Sequence, residues 1–137
     1  FAYIIKRNRT KIGRDYGVIG IGLGMTNNVA EYTALIRALE QIKRMHLDKE
    51  EIIVRSDSML VVNQMNGIWK VEAKLILPLH TKAKDLARGT NIAFKWIPRE
   101  ENTEADYLSR FAYSKVRNKV VRVRKEFQKN KEKYFQF

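Results

Sequence analysis

The spacing of apolar and polar positions divides this chain into strands and helices with little ambiguity of order. Phe1-Ala2-Tyr3-Ile4-Ile5-Lys6 reads as a strand, followed by a polar turn over Arg7-Asn8-Arg9-Thr10-Lys11. Ile12 to Leu23 reads as a second strand, so the two form an antiparallel hairpin. Glycines at 13, 17, 20 and 22 permit bulges and close backbone approach there. From Thr26 to Met45 the period changes to that of a helix. Thr26-Asn27-Asn28 is a capping cluster, and Leu35, Ala38, Leu39 and Ile42 recur on one face. Glu51 to Arg55, centred on Ile52-Ile53-Val54, reads as a buried strand ending at Ser56-Asp57-Ser58. Met59 to Met65 is a short helix stopped by Asn66-Gly67. Lys70 to Arg88 reads as a helix that either kinks at Pro78 or begins near it, with Gly89 at its end. Asn91 to Ile97 is the last strand, ended by Pro98. Asn102 or Thr103 then caps a helix through Ala105, Leu108 and Ala112.

The order is strand, strand, helix, strand, helix, helix, strand, helix. A hairpin followed by strands that alternate with helices predicts an α/β fold: a mixed sheet with helices packed on it. No internal repeat or low-complexity linker interrupts it. The 137 residues suit one domain with a real core. No apolar run approaches the roughly 20 residues of a membrane span, and the start shows no signal-like segment. Cysteine is absent, which removes disulfides and thiolate metal sites and agrees with a cytoplasmic protein.

Charge narrows the picture. Lys and Arg number 27 against 15 acids, a net +12. An excess of this size points to a polyanionic partner, above all nucleic acid. Gly20-Ile21-Gly22-Leu23-Gly24 ends a hairpin rather than joining a strand to a helix, so it is not a dinucleotide fingerprint. His46 and His80 lie in helical segments and read as surface or packing residues.

Three acids share one structural address. Glu31, Asp57 and Asp106 each follow a strand, at or near the start of the next helix. Each has a local explanation. Glu31 is spaced from Asn28 as a capping box, Asp57 precedes Ser58 as a cap, and Asp106 complements a helix dipole or boxes with Thr103. Together they suggest more, because the carboxyl ends of parallel strands face one crevice where ligands bind. Three carboxylates meeting there repel unless a cation screens them, and oxygen-only ligation suits Mg²⁺ or Mn²⁺. A basic protein with such a crevice fits phosphodiester chemistry.

Three motifs carry a family resemblance. Thr26-Asn27-Asn28-Val29-Ala30-Glu31-Tyr32, Ser56-Asp57-Ser58 and the stretch from Trp96 through Pro98-Arg99 and Asn102 to Asp106 resemble ribonuclease H of type 1. The similar form is that of archaea and some bacteria, and the likeness runs from about Phe1 to Arg117. It implies a metal-dependent endonuclease that cuts the RNA strand of RNA–DNA hybrids to 5′-phosphate and 3′-hydroxyl ends. Two Mg²⁺ ions, replaceable by Mn²⁺, are expected in the complete site. It implies that Glu31, Asp57 and Asp106 are catalytic metal ligands, with Glu31 also sensing a 2′-hydroxyl. Thr26, Asn27, Asn28, Arg99 and Asn102 are implied as substrate-binding residues. Double-stranded RNA and single junction ribonucleotides stay open as further substrates.

Three departures shape the expectation. The family's fourth acid lies on a first, central strand, and Phe1 falls where the second family strand begins. No residue from Phe1 onward matches that acid, and an Asp-Gly-Ser-like strand ahead of Phe1 is expected to supply it. Without it, the alternative is an inactive nucleic-acid-binding module of the same fold. Met59 stands where many relatives have glutamine, and Arg99 lies in the loop where another branch has a proton-shuttling histidine. An arginine cannot be that base.

Beyond the resemblance, Tyr113, Val116, Val120, Val123, Phe127 and Tyr134 form a stripe of coiled-coil spacing among many lysines and arginines. One long basic helix from about Thr103 to about Lys131 is expected. The division is then a domain over 1–118 and a basic extension over 119–137. The stripe either folds back over the sheet or docks on a partner helix, a second copy or nucleic acid. Lys133 to Phe137 is a further candidate strand.

Overall fold

The computed structural model describes residues 1–7, 9–20 and 24–134, with side chains described no further than residue 118. Strand β1 (Ala2–Arg7) pairs antiparallel with β2 (Thr10–Tyr16), with a register shift between Ile5 and Lys6. Helix α1 (Asn27–Arg44) follows, then strand β3 (Glu51–Ser56), helix α2 (Met59–Met65) and helix α3 (Leu77–Ala87). Strand β4 (Asn91–Trp96) pairs parallel with β3, in register from Glu51 opposite Asn91 to Ser56 opposite Trp96. A single 3₁₀ turn (Arg99–Glu101) leads into α4 (Thr103–Tyr134), 32 residues long. The order of elements is the expected one, and so is the long last helix.

Where boundaries moved, local chemistry explains the change. The second strand is shorter than expected and ends at Tyr16. Helix α3 starts at Leu77, with Pro78 in its first turn, so the proline opens the helix rather than kinking it. Residues 70–76 are not helical and wrap the end of α2. Gly67, at φ +74°, makes the turn that stops α2, a conformation that costs other residues. Of the candidate strand at Lys133–Phe137, Lys133 and Tyr134 lie in α4 and the last three residues fall outside the described ones.

The sheet differs in one respect. Among the described residues the four strands form two separate two-stranded sheets, β1–β2 and β3–β4. Between them lies a cavity of about 780 Å³. β1 forms one wall and β3 the other, and Ala34, Leu35, Ala38 and Ile42 of α1 lie along it. Ile53, at the centre of β3, is 59% exposed.

The core lies on the other side of α1. Tyr32, Leu35, Ile36 and Leu39 of α1 pack with Val61 and Met65 of α2, Ile76, and Ala83 of α3. Tyr32 and Leu39 are the largest fully buried side chains. Burying a residue of this kind contributes about 1.5–3 kcal/mol. This packing fixes α1, and so the residues at its N-terminus, against β3 and β4. His80 belongs to it, with its ring edge against Tyr32 and Nε2 bonded to the Gln64 carbonyl at 3.2 Å. His46 is exposed just past α1, at φ +56°. No helix among the described residues is long and apolar enough to cross a membrane.

Candidate active site

Each of the three acids had a helix cap as its ordinary explanation, and the structure removes two of the three. Thr26 caps α1, its Oγ1 accepting from the Val29 N–H at 3.3 Å. No acid lies in the first turn of α1, so Glu31 is past it and the capping box with Asn28 does not form. Ser58 caps α2, its Oγ accepting from the Val61 N–H at 3.3 Å, so Asp57 is not a cap either. Asp106 does lie in the first turn of α4, where it favours the helix dipole, and its Oδ2 pairs with Arg110 Nη2 at 2.9 Å.

Backbone bonds shape the turns that bear Asp57 and Asp106. The Ile97 N–H donates to the Ser56 carbonyl at 2.9 Å, carrying the β3–β4 ladder up to the residue before Asp57. The Asp106 N–H donates to the Asn102 carbonyl at 3.1 Å, which starts α4 just after the 3₁₀ turn. Trp96 adds a contact the sequence did not suggest. Its Nε1–H donates to the Asp57 carbonyl at 3.2 Å, pinning the turn that bears the carboxylate. A tryptophan at a strand end was the available signal, since its one polar atom needs an acceptor.

Electrostatics ties the acids together. Glu31 is held above the usual carboxylate range. Burial is the largest cause, and the charge of Asp57 adds to it; the Phe1 amine and Arg99 oppose the shift, and Asp106 again raises it. The side chain of Asp57 is only 12% exposed, and Arg99 Nε lies 3.5 Å from its Oδ2. Arg99 is thus at the acids, as a counter-charge, and not at a distance from them. Tyr32, beside Glu31 in sequence, donates its hydroxyl to Gln64 Oε1 at 2.8 Å, and burial pushes its phenol up to about 12. Gln64 Nε2 in turn donates to the Lys70 carbonyl, which fastens the loop after α2.

The remaining expected residues lie at the starts of α1 and α4. Thr26 and Asn27 are exposed at the N-terminus of α1 and Asn28 is half-buried. Thr26 keeps its hydroxyl hydrogen for donation, since the cap uses only a lone pair. Asn102 is half-buried at the start of α4, and Met59 is 47% exposed beside Asp57. Before α1, Gly24 has φ +88°, and a side chain there would meet Leu75, so this segment is shaped by backbone as well.

The expected metal set is placed only in part. The three acids offer oxygen donors of the kind hard divalent cations take, and their mutual repulsion is what such a cation relieves. Yet among the described residues no three His, Cys, Asp or Glu side chains are close enough to hold an ion. Asp57 and Asp106 are each paired with an arginine, and Glu31 lines the cavity between the two sheets. Glu104, in the first turn of α4, is engaged elsewhere. It bridges Lys6 of β1 and Lys11 of β2, whose hydrogen bonds hold it below the usual carboxylate range.

Comparison with known proteins agrees with this geometry. The family model described as "Reverse transcriptase-like" matches residues 4–112. The "Bifunctional protein Rv2228c" of Mycobacterium tuberculosis is 45% identical over 85 residues, 61% of this chain and 23% of that protein. "Ribonuclease HI" of Halobacterium salinarum is 36% identical over 103 residues, 72% of this chain and 51% of that one. The chain thus spans about a quarter and about half of these relatives. A crystal structure of LC11-RNase H1 in complex with an RNA/DNA hybrid superposes with a TM-score of 0.76. It is 34% identical, over 84% of this chain and 85% of that one. With its motifs, its element order and this match over residues 4–112, the chain belongs to the reverse-transcriptase-like family, as a ribonuclease H domain of type 1.

Proposed function

We propose that this domain is a divalent-metal-dependent endonuclease that cuts the RNA strand of RNA–DNA hybrids, leaving 5′-phosphate and 3′-hydroxyl ends. One observation carries the reading. Asp57 and Asp106, which follow β3 and β4, both act by charge on the buried Glu31, and neither Glu31 nor Asp57 is used as a helix cap. A relative of known structure binds the same class of duplex.

Glu31, Asp57 and Asp106 would hold the ions, Mg²⁺ or Mn²⁺, two in a complete site. Bound there, such ions would supply an activated water and charge stabilisation for the leaving 3′ oxygen. The chain's own residues do the rest. Asp57 is fixed from behind by Trp96 and balanced by Arg99, so its carboxylate is held in place before an ion arrives. Glu31, whose carboxyl is held above the usual range mainly by burial, offers an oxygen suited to accept a hydrogen bond from a ribose 2′-hydroxyl, the group that marks RNA. Asn27 and Asn28 at the start of α1 reach bases from the minor groove, and Thr26 and Asn102 support the same strand. Arg99 is always charged and serves a phosphate or a carboxylate, never as a base. Double-stranded RNA is a further substrate to assay, and a cytoplasmic setting suits a cysteine-free chain.

The open spacing of the acids favours a second reading, an inactive module that binds hybrids without cutting them. One experiment separates the two: the gene-length protein is incubated with Mg²⁺ and a hybrid labelled on its RNA strand. Cleavage to 3′-hydroxyl fragments supports the enzyme. Binding without cleavage supports the module, and neither binding nor cleavage overturns both.

A further inference from the structure

The family match ends at residue 112, but α4 runs on to Tyr134. At about 1.5 Å per residue the whole helix is about 48 Å long. The hairpin strands it packs on have six and seven residues, about 20 to 23 Å. The hairpin can therefore cover less than half of α4. Leu108 and Ala112 are the last residues of α4 found buried among those described, and Tyr113 is already 61% exposed.

The sequence of the outer part is strongly basic. Residues 113–137 hold nine lysines and arginines against two glutamates, seven of the chain's twelve net positive charges. Around the apolar stripe the charges fall in lines. Arg117, Arg124 and Lys131 recur every seven residues on one flank; Lys115, Lys119, Arg122, Lys129 and Lys133 follow the other. Such flanks oppose a second copy on the same stripe. In a parallel pair Lys119 would face Arg124, and an antiparallel pair would set the Arg117, Arg124, Lys131 line against itself. Only Glu126 relieves this, and Asn130 interrupts the stripe. Like charges across such a seam repel, whereas a polyanion satisfies both flanks.

We propose that α4 beyond Ala112 is a nucleic-acid-gripping arm, which contacts phosphates of the same duplex at a distance from the acids. The proposal rests on the nucleic-acid reading above. Its geometry follows from continuity, because Asp106 is in the first turn of the same helix. Lys119 to Lys133 lie about 20 to 40 Å along the axis from Asp106. At about 3.4 Å per base pair, the grip reaches about 6 to 12 base pairs from the site.

The test is fluorescence anisotropy on the full chain and on a K119Q/R122Q/K129Q/K133Q variant, with hybrids of 24 base pairs and of 8 base pairs closed by a loop. Glutamine is as good a helix former as lysine or arginine, and Lys115 is left in place because it lies over the Phe111 ring, 4.6 Å from its centre. Circular dichroism checks that helix content is retained. On the long hybrid the variant is expected to bind at least tenfold more weakly at low salt. Each lost phosphate contact should remove about 0.9 from the slope of log affinity against log salt, so three to four contacts remove about 3. On the short hybrid the two proteins should differ little. Equal affinity and slope on both lengths, with helix retained, would overturn the arm while leaving the site reading intact. No binding of either hybrid by the unmodified chain would overturn both. A dimer by sedimentation, or tight capture by phosphatidylserine vesicles without the length effect, would name a different occupant and overturn it too.

Discussion

The two sheets on either side of the cavity teach different things. The β1–β2 hairpin is made of neighbours in sequence, joined by a short turn, and it carries none of the three acids. The β3–β4 pair joins residues some forty positions apart, needs α2 and α3 as its crossover, and carries Asp57 at its end with Asp106 beyond. Parallel pairing requires such a crossover, and the strand ends it creates form the crevice. The hairpin is thus the local, charge-tethered half, and the parallel pair is the half after whose strands two of the three candidate acids, Asp57 and Asp106, follow. Helix α1 is common to both, since one side forms the core with α2 and α3 and another lines the cavity.

The largest effect that would sharpen this comparison is at Asp57. In the gene-length protein, Asp57→Asn should abolish cleavage of a labelled hybrid while leaving the circular dichroism spectrum unchanged. It keeps the shape of the side chain but removes charge needed by a cation. A hairpin substitution such as Lys11→Gln should leave cleavage measurable. Equal loss in both would mean that the halves are not functionally distinct.

Next is the shared helix. Leu39→Ala should cost about 2–5 kcal/mol in urea unfolding, since Leu39 is 1% exposed among well-packed neighbours. That is a large part of a typical domain's stability. Both halves should melt together. Loss of protection in only one sheet, seen by hydrogen exchange, would show that α1 does not couple them.

A smaller, pH-dependent effect is expected at Glu31. Its proton affinity is raised in the folded chain, so the folded state binds a proton that the unfolded state has released. Stability is then highest below the ordinary carboxylate range and falls as pH rises through the folded value. In metal-free buffer Glu31→Gln should therefore raise the melting temperature at pH 7, with the gain vanishing near pH 4. A gain independent of pH would assign it to packing instead of charge.

The smallest effect belongs to the tether. Glu104→Gln removes exposed ion pairs to Lys6 and Lys11, which contribute little to global stability. The melting temperature should stay put while β1–β2 amides exchange faster than those of β3–β4. Equal exchange in both sheets would deny that Glu104 tethers the hairpin.

The sequence by itself determined the elements and their order, because periodicity and punctuation are local properties. Met59–Met65 was legible to the residue, with Ser58 before it and Asn66-Gly67 after it. The long last helix was legible from its stripe, and the three motifs identified the family. What local pattern could not decide was how groups far apart in sequence meet. Whether Glu31 and Asp57 were caps depended on which neighbour reached the helix N–H groups first, and Thr26 and Ser58 did. The Trp96 bond to the Asp57 carbonyl exists only once β4 lies beside β3. Arg99 became a partner of Asp57 through the 3₁₀ turn, which no spacing announced. The cavity between β1 and β3 is likewise a tertiary feature: its walls come from strands paired on their other edges and from α1, which are far apart in sequence.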